Sequence, residues 1–249
     1  MKSQSYEWIV FDAVGTLIYP DPPVHEVYAS IGQQCGSRIP AEEIQGRFHR
    51  AYQHQHALPA EISSLRQTGD DCTEQGEYEL WRRIVAEVFD DTIVPEAEFQ
   101  ELFAHFGKPS AWGVFEDVPQ TFAELTSSGF RLAVASNFDS RLDLICDEIP
   151  ILGQLAVRII SSQIGHRKPS LAFYDAVIDR TGSPADRLLM VGDDFENDVQ
   201  AARDAGLAAV HLSRKKPPHK NGLRDLRDLS EWLRSPGLRS GAHSGTLLR

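Results

Sequence analysis

The chain is poor in cysteine, in basic residues and in long apolar stretches. Its three cysteines, Cys35, Cys72 and Cys146, lie far apart and are odd in number, with no CxxC spacing. That removes the usual zinc and dithiol signatures and fits a reducing compartment. Lys and Arg number 25 against 36 Asp and Glu, a net charge of -11, so sequence-blind attraction to nucleic acid or to an anionic membrane is not expected. No apolar run approaches the ~18 residues of a membrane span. The first residues lead into a short strand pattern, too brief for the apolar core of a signal peptide. The expectation is a cytoplasmic protein whose partner is a small soluble molecule; nothing in the sequence sets its oligomeric state.

What the chain has is a rhythm. Short runs rich in Val, Ile and Leu occur at 7–11, 131–136, 156–161, 188–192 and 208–212. Runs of that length without polar alternation read as parallel strands buried on both faces. Helical patterns lie between them at 117–128, 171–181 and 196–205, each followed by a glycine stop. The alternation predicts an α/β fold with a doubly wound parallel sheet.

Residues 19–112 break the rhythm with helical stretches at 24–34, 41–57, 76–89 and 96–106 and no clear β run. About 90 residues are too many for one crossover, so the interval is expected to be an inserted all-helical cap. Residues 1–18 and 113–234 then form the core, and the Gly/Ser-rich stretch 235–249 a C-terminal tail.

Four polar patterns stand at or just beyond strand ends: Asp12-Ala13-Val14-Gly15-Thr16, Ser136-Asn137, Lys168-Pro169 and Gly192-Asp193-Asp194-Phe195-Glu196-Asn197-Asp198. Carboxyl ends of parallel strands converge on one crevice, so these residues can meet there. Lys168 stands seven residues beyond Ser161 and must reach back through a loop.

The ordered set resembles the haloacid dehalogenase superfamily of aspartate-nucleophile hydrolases, over essentially residues 7–212. The runs Ser136-Asn137-Phe138-Asp139 and Arg167-Lys168-Pro169 look most like its branch around haloacid dehalogenase-like hydrolase domain-containing protein 3. The resemblance implies a Rossmann-like sheet in the order 5-4-1-2-3 with the cap inserted after the first motif. It implies Asp12 as nucleophile, Lys168 as charge stabiliser, and Thr16, Ser136 and Asn137 beside a phosphoryl group. It further implies a Mg²⁺ site made by Asp12, the backbone carbonyl of Val14, Asp193 and either Asp198 or Asp194. Residue chemistry agrees, since an anionic ester repels a carboxylate nucleophile until a cation neutralises the phosphoryl oxygens. Magnesium takes oxygen ligands and one or two carboxylates.

One element of the pattern is missing. Val14 stands where family phosphatases carry a second aspartate as proton donor and acceptor. General acid/base help is worth roughly 10²- to 10⁴-fold, about 3 to 5 kcal/mol of barrier. Three readings follow: a magnesium phosphatase whose proton comes from elsewhere or is not needed, a phosphate-binding or regulatory module with impaired turnover, and a 2-haloacid dehalogenase. Dehalogenases in the family also lack the second aspartate and need no metal; the acidic cluster here, costly without a cation, favours the first reading.

Several residues have plainer explanations. Asp139 is expected to cap the helix after it, and Asp194 or Asn197 to cap the helix near Glu196. His49, Gln53 and His56 share a helical face but are read as solvated, while His25 and Asp21 are the candidate substitutes for the missing carboxylate. Tyr78, Trp81, Val85 and Val88 are read as cap core. Arg214, Lys215, Lys216 and Lys220 are read as a solvated loop.

Overall fold

The computed structural model describes residues 6–56, 72–219 and 221–235. The expected tail from 236 onward, the predicted end of the second helix at residue 57, the side chain of His56 and Lys220 lie outside the described residues.

The central sheet has five parallel strands: β1 (Trp8–Phe11), β4 (Arg131–Ser136), β5 (Val157–Ile160), β6 (Leu188–Gly192) and β7 (Ala208–His211), in spatial order β5-β4-β1-β6-β7. Counting only these strands along the chain gives 5-4-1-2-3 from one edge, as the resemblance implied. Strand β1 is central, paired through Phe11 with Val134 on one side and Val191 on the other. Its four residues are buried on both faces, which is why its sequence shows no polar alternation.

Alternate side chains of the strands serve two different cores. Ile9, Phe11, Val134 and Val191 pack against Phe122 and Leu125 of the helix Val118–Ser127. Trp8, Val10, Ala135 and Met190 pack on the other face against Phe173 and Val177 of the helix Leu171–Thr181. Helices therefore cover both faces.

The cap consists of α1 (Val24–Gln34), α2 (Ala41–His56), α3 (Glu74–Val88) and α4 (Glu96–His105). It has its own core, with Ile31, Ile44, Ala51, Ile84 and Val88 buried together. The Thr73 hydroxyl caps α3 by accepting from the Gly76 N–H at 3.0 Å. Val85 and Val88 are buried as expected, whereas Tyr78 and Trp81 are half-buried at the edge of that core.

Two features differ from the sequence expectation. Strands β2 (Ile18–Pro20) and β3 (Trp112–Val114) pair antiparallel where the chain leaves the core and where it returns. Three residues each is too short to leave a pattern; they hold through one another and through the Tyr19–Phe115 ring contact at 4.8 Å. The helix expected at 196–205 begins instead as a π-helical turn, Phe195–Gln200, before the α-turn Ala201–Asp204. The widened turn buries both Asp198 and Val199, and such turns recur at functional sites.

Phe122 is fully buried with its ring 5.3 Å from that of Phe11, so it fixes the helix beneath the strand that leads to Asp12. Phe122→Ala is expected to cost about 3–5 kcal/mol, read as a lowered midpoint in urea unfolding.

Candidate active site

The strand ends bring the sequence motifs into one crevice. Asp12 follows β1 directly, and its N–H donates to the Val191 carbonyl at 2.9 Å, tying the first motif to β6. Lys168, 3% exposed, reaches back from the loop before the Leu171–Thr181 helix. Its ammonium donates to Asp12 Oδ1 at 2.7 Å and to Asp198 Oδ1 at 2.6 Å. The Ser136 hydroxyl lies 3.4 Å from Asp12 Oδ1, and Thr16 Oγ1 donates to Asp193 Oδ1 at 3.3 Å.

Oxygens of Asp12, Asp193 and Asp198 come within 4.8 Å of one another. Burial and then the neighbouring Asp12 charge push Asp193 up to about 7. Its side chain still meets solvent at the mouth of the crevice, so repulsion by Asp12 is the part a cation would cancel. Burial likewise raises Asp198, with Lys168 opposing the shift. Burial alone would discharge Lys168, but Asp12 and Asp198 overcome it and hold its pKa above the ordinary lysine value. With all three carboxylates ionised, one ammonium leaves two negative charges in excess, and this acidic trio is consistent with a divalent-cation site.

The carboxylates of the fourth motif divide their work. Asp194 is an N-cap: its Oδ1 accepts from the N–H groups of Glu196 and Asn197, both at 3.0 Å, and its Oδ2 from the Asn197 side-chain amide at 2.8 Å. Asp194 is therefore outside the acidic trio. Asp198 is inside it but committed, with Oδ1 on Lys168 and Oδ2 accepting from the Asp194 N–H at 3.0 Å. Asp193 and Asp12 remain the carboxylates with oxygen free to reach a cation. No described hydrogen bond ends on the Val14 carbonyl, because the turn closes through the Ala13 and Ile18 carbonyls instead. Gly15 has φ +91°, and a Cβ there would run into the Asp193 carboxylate, so the close approach of the two loops needs glycine.

Asn137 does something the sequence did not suggest. Its Nδ2 donates to the Lys168 carbonyl at 3.0 Å and its Oδ1 accepts from the Lys168 N–H at 2.8 Å. The side chain thus grips the lysine's backbone on both sides. Asp139 caps the next helix, accepting from the Arg141 N–H at 3.1 Å while pairing with the Arg141 guanidinium.

Four further groups support the site. Arg214, expected in a solvated loop, binds both oxygens of buried Asp117 at 2.7 and 3.0 Å and donates to the Thr16 carbonyl at 2.8 Å. It thereby holds the loop after Asp12 from below. Its place just past the end of β7 was the available signal. His211, the last residue of β7, contacts the Asp193 carbonyl through Nε2 at 3.1 Å, while its Nδ1 accepts from the His219 N–H at 3.2 Å. From the cap, buried Glu77 pairs with Arg167, the residue before Lys168. Glu74 accepts from the Ser140 hydroxyl at 2.7 Å and the Ser162 hydroxyl at 2.5 Å.

Comparison with known proteins agrees with this geometry. The haloacid dehalogenase-like hydrolase family profile matches residues 6–206. The chain belongs to this family of hydrolases. Among its relatives, haloacid dehalogenase-like hydrolase domain-containing protein 3 of Danio rerio is 27% identical over 213 residues, covering 84% of this chain and 85% of that protein. Two solved structures share the fold. The HAD phosphatase from Thermococcus onnurineus has a TM-score of 0.62 at 22% identity, covering 91% of this chain and 97% of its own. The L-2-haloacid dehalogenase from Xanthobacter autotrophicus has 0.68 at 17%, covering 93% and 99%. The same architecture thus hosts both chemistries, and fold does not choose between them. Among the described residues of this hydrolase no helix is long and apolar enough to cross a membrane.

The raised Asp193 pKa fixes a sign. Without a cation, ionising this carboxylate costs stability as pH rises from the unfolded value of about 4 through about 7. Added Mg²⁺ is therefore expected to raise the melting temperature more at about pH 8 than at about pH 5. Differential scanning fluorimetry checks this, and Asp193→Asn should remove most of the difference.

Proposed function

We propose that this hydrolase is a magnesium-dependent phosphatase of a small phosphorylated metabolite, working through an aspartyl-phosphate at Asp12. The observation that carries the reading is the acidic trio around one buried lysine. Displacement of halide from a neutral carbon needs no cation, and two surplus negative charges would only repel a haloacid carboxylate. A phosphate ester with a divalent ion has the complementary charge. Asp12, Asp193 and the Val14 carbonyl would hold the ion, with Asp198 supporting through Lys168. When bound, it would neutralise the phosphoryl oxygens and orient them for attack.

The chain's own groups have distinct tasks in this reading. Asp12 Oδ attacks phosphorus, and the Lys168 ammonium, already on Oδ1, aligns the carboxylate and balances its charge. Ser136 and Thr16 offer hydroxyl donors at the edge of the phosphoryl position. Asn137 acts by holding Lys168. We take residues 19–112 as the cap and 1–18 with 113–234 as the core; the seated cap excludes water and sets substrate preference. The likeness to the Danio rerio protein supports placing the chain near the group named for haloacid dehalogenase-like hydrolase domain-containing protein 3.

Val14 favours one competing reading, a module that binds phosphate and metal with turnover near background. Assay of a phosphate-monoester panel separates the two. The phosphatase reading expects turnover that requires Mg²⁺, stops with EDTA and falls at least about 10³-fold in Asp12→Asn. Absence of metal-dependent turnover, with Asp12→Asn equal to wild type, would overturn it. Chloride release from 2-chloropropionate unaffected by EDTA would instead establish the dehalogenase.

A further inference from the structure

Two carboxylates on one turn of the cap reach into the core. Glu74 and Glu77 stand three residues apart at the start of α3, which puts both on one face of the helix. The Thr73 hydroxyl fixes that end of the helix. Glu74 accepts from the Ser140 N–H at 3.0 Å, from the Ser140 hydroxyl at 2.7 Å and from the Ser162 hydroxyl at 2.5 Å. Glu77 accepts from the Arg167 guanidinium. Among the described ion pairs, only that of Glu77 with Arg167 joins cap to core.

The loops held in this way are the two that place Lys168. One carries Asn137, whose amide brackets the Lys168 peptide groups at 2.8 and 3.0 Å; the other carries Arg167 and Lys168 themselves. They are tied to each other through the Ser161 hydroxyl, which accepts from the Phe138 N–H at 3.1 Å and donates to the Phe138 carbonyl at 3.0 Å. The Arg167 carbonyl accepts from the Ser170 N–H at 2.9 Å, closing a turn around Lys168. Asn137 thus keeps the lysine fixed relative to its neighbouring loop. The contacts from α3 fix both loops relative to the cap.

Burial gives the pair a direction. Glu77 is 4% exposed, whereas the Arg167 side chain is 26% exposed. The buried carboxylate is the fixed member, and a guanidinium released from it can turn toward water. Movement at residue 167 passes through one peptide bond to Lys168. The ammonium there makes bonds of 2.7 Å to Asp12 and 2.6 Å to Asp198, and a displacement of about 1 Å takes such contacts out of hydrogen-bond range.

We propose that Glu77 is a positioning residue: by holding Arg167 it sets the Lys168 ammonium on Asp12, so that Asp12 is aligned and charge-balanced only while the cap is seated. Lifting the cap withdraws Glu74 and Glu77 together, because they share one turn, and releases both loops. The effect on turnover rests on the phosphatase reading; the placement of the lysine does not.

The test is reductive methylation of the native protein with formaldehyde and dimethylamine-borane, read lysine by lysine by peptide mass spectrometry. It compares wild type, Glu77→Met, Arg167→Met and the double variant; methionine fills the space without a charge. Lys168 is expected to stay protected in wild type while exposed Lys215 reacts. Either single variant should speed labelling of Lys168 at least about tenfold, with Lys215 unchanged, by opening the site locally. The double variant should go no further than the faster single one, since the two side chains form one contact. Phe122→Ala, which lowers stability with the clamp intact, should leave Lys168 protected well below its melting temperature. On 4-nitrophenyl phosphate with Mg²⁺ the clamp variants should lose kcat about 10²-fold with KM nearly unchanged. Lys168 still protected in both single variants, or equally exposed in Phe122→Ala, would overturn the role of Glu77 whatever reaction the enzyme performs. Faster labelling with kcat unchanged would overturn it too. Labelling as expected in a protein whose wild type shows no phosphatase turnover would remove the phosphatase reading and leave the clamp standing.

Discussion

The site depends on the buried ammonium of Lys168, shared between Asp12 and Asp198. An unpaired lysine at that depth would lose its proton. Pairing with Asp12 and Asp198 keeps the lysine charged, at the expense of confining three acids around one base. The remaining imbalance is consistent with a crevice receptive to a divalent cation. Breaking such a pair from one side is costly, because the other charge is left stranded.

Much of the surrounding structure can be understood as holding this arrangement still. Asn137 fixes the lysine's backbone, Arg214 and Asp117 fix the carbonyl side of the loop after Asp12, and His211 fixes the backbone of Asp193. The cap reaches the same loops through Glu77 on Arg167 and Glu74 on Ser140 and Ser162. The Arg141 guanidinium adds a contact to the Phe103 carbonyl at 2.5 Å and stacks on that ring. Cap seating and lysine placement are thus joined through adjacent residues, 167 and 168.

The sheet and the helical insertion were legible because burial on both faces leaves unmistakable apolar runs, as in Trp8–Phe11 and Leu188–Gly192. Strands β2 and β3 were not, since three residues stabilised only by each other carry no period. The crevice residues Asp12, Lys168 and Asp193 could be read from their order at strand ends. The choice between Asp194 and Asp198 could not: both lie on one turn, and only the π-helical geometry turns one toward Lys168 and the other to the cap of its own helix. Arg214 was read as solvated because its neighbours are basic, although its carboxylate partner Asp117 lies 97 residues earlier in the chain. Long-range pairing of that kind has no local signature.

Val14 leaves its position in the loop after Asp12 without an ionisable side chain, while the carboxylates and the lysine beside it remain in place. The account therefore stands or falls on whether Asp12 forms a covalent bond to phosphorus. Borohydride quenching during turnover of 4-nitrophenyl phosphate, followed by peptide mass spectrometry, tests this directly. Reduction of an aspartyl-phosphate should convert Asp12 to homoserine in the presence of substrate and Mg²⁺, and not when either is withheld. Steady turnover with Asp12 unmodified, or with the label on another residue, would contradict the account.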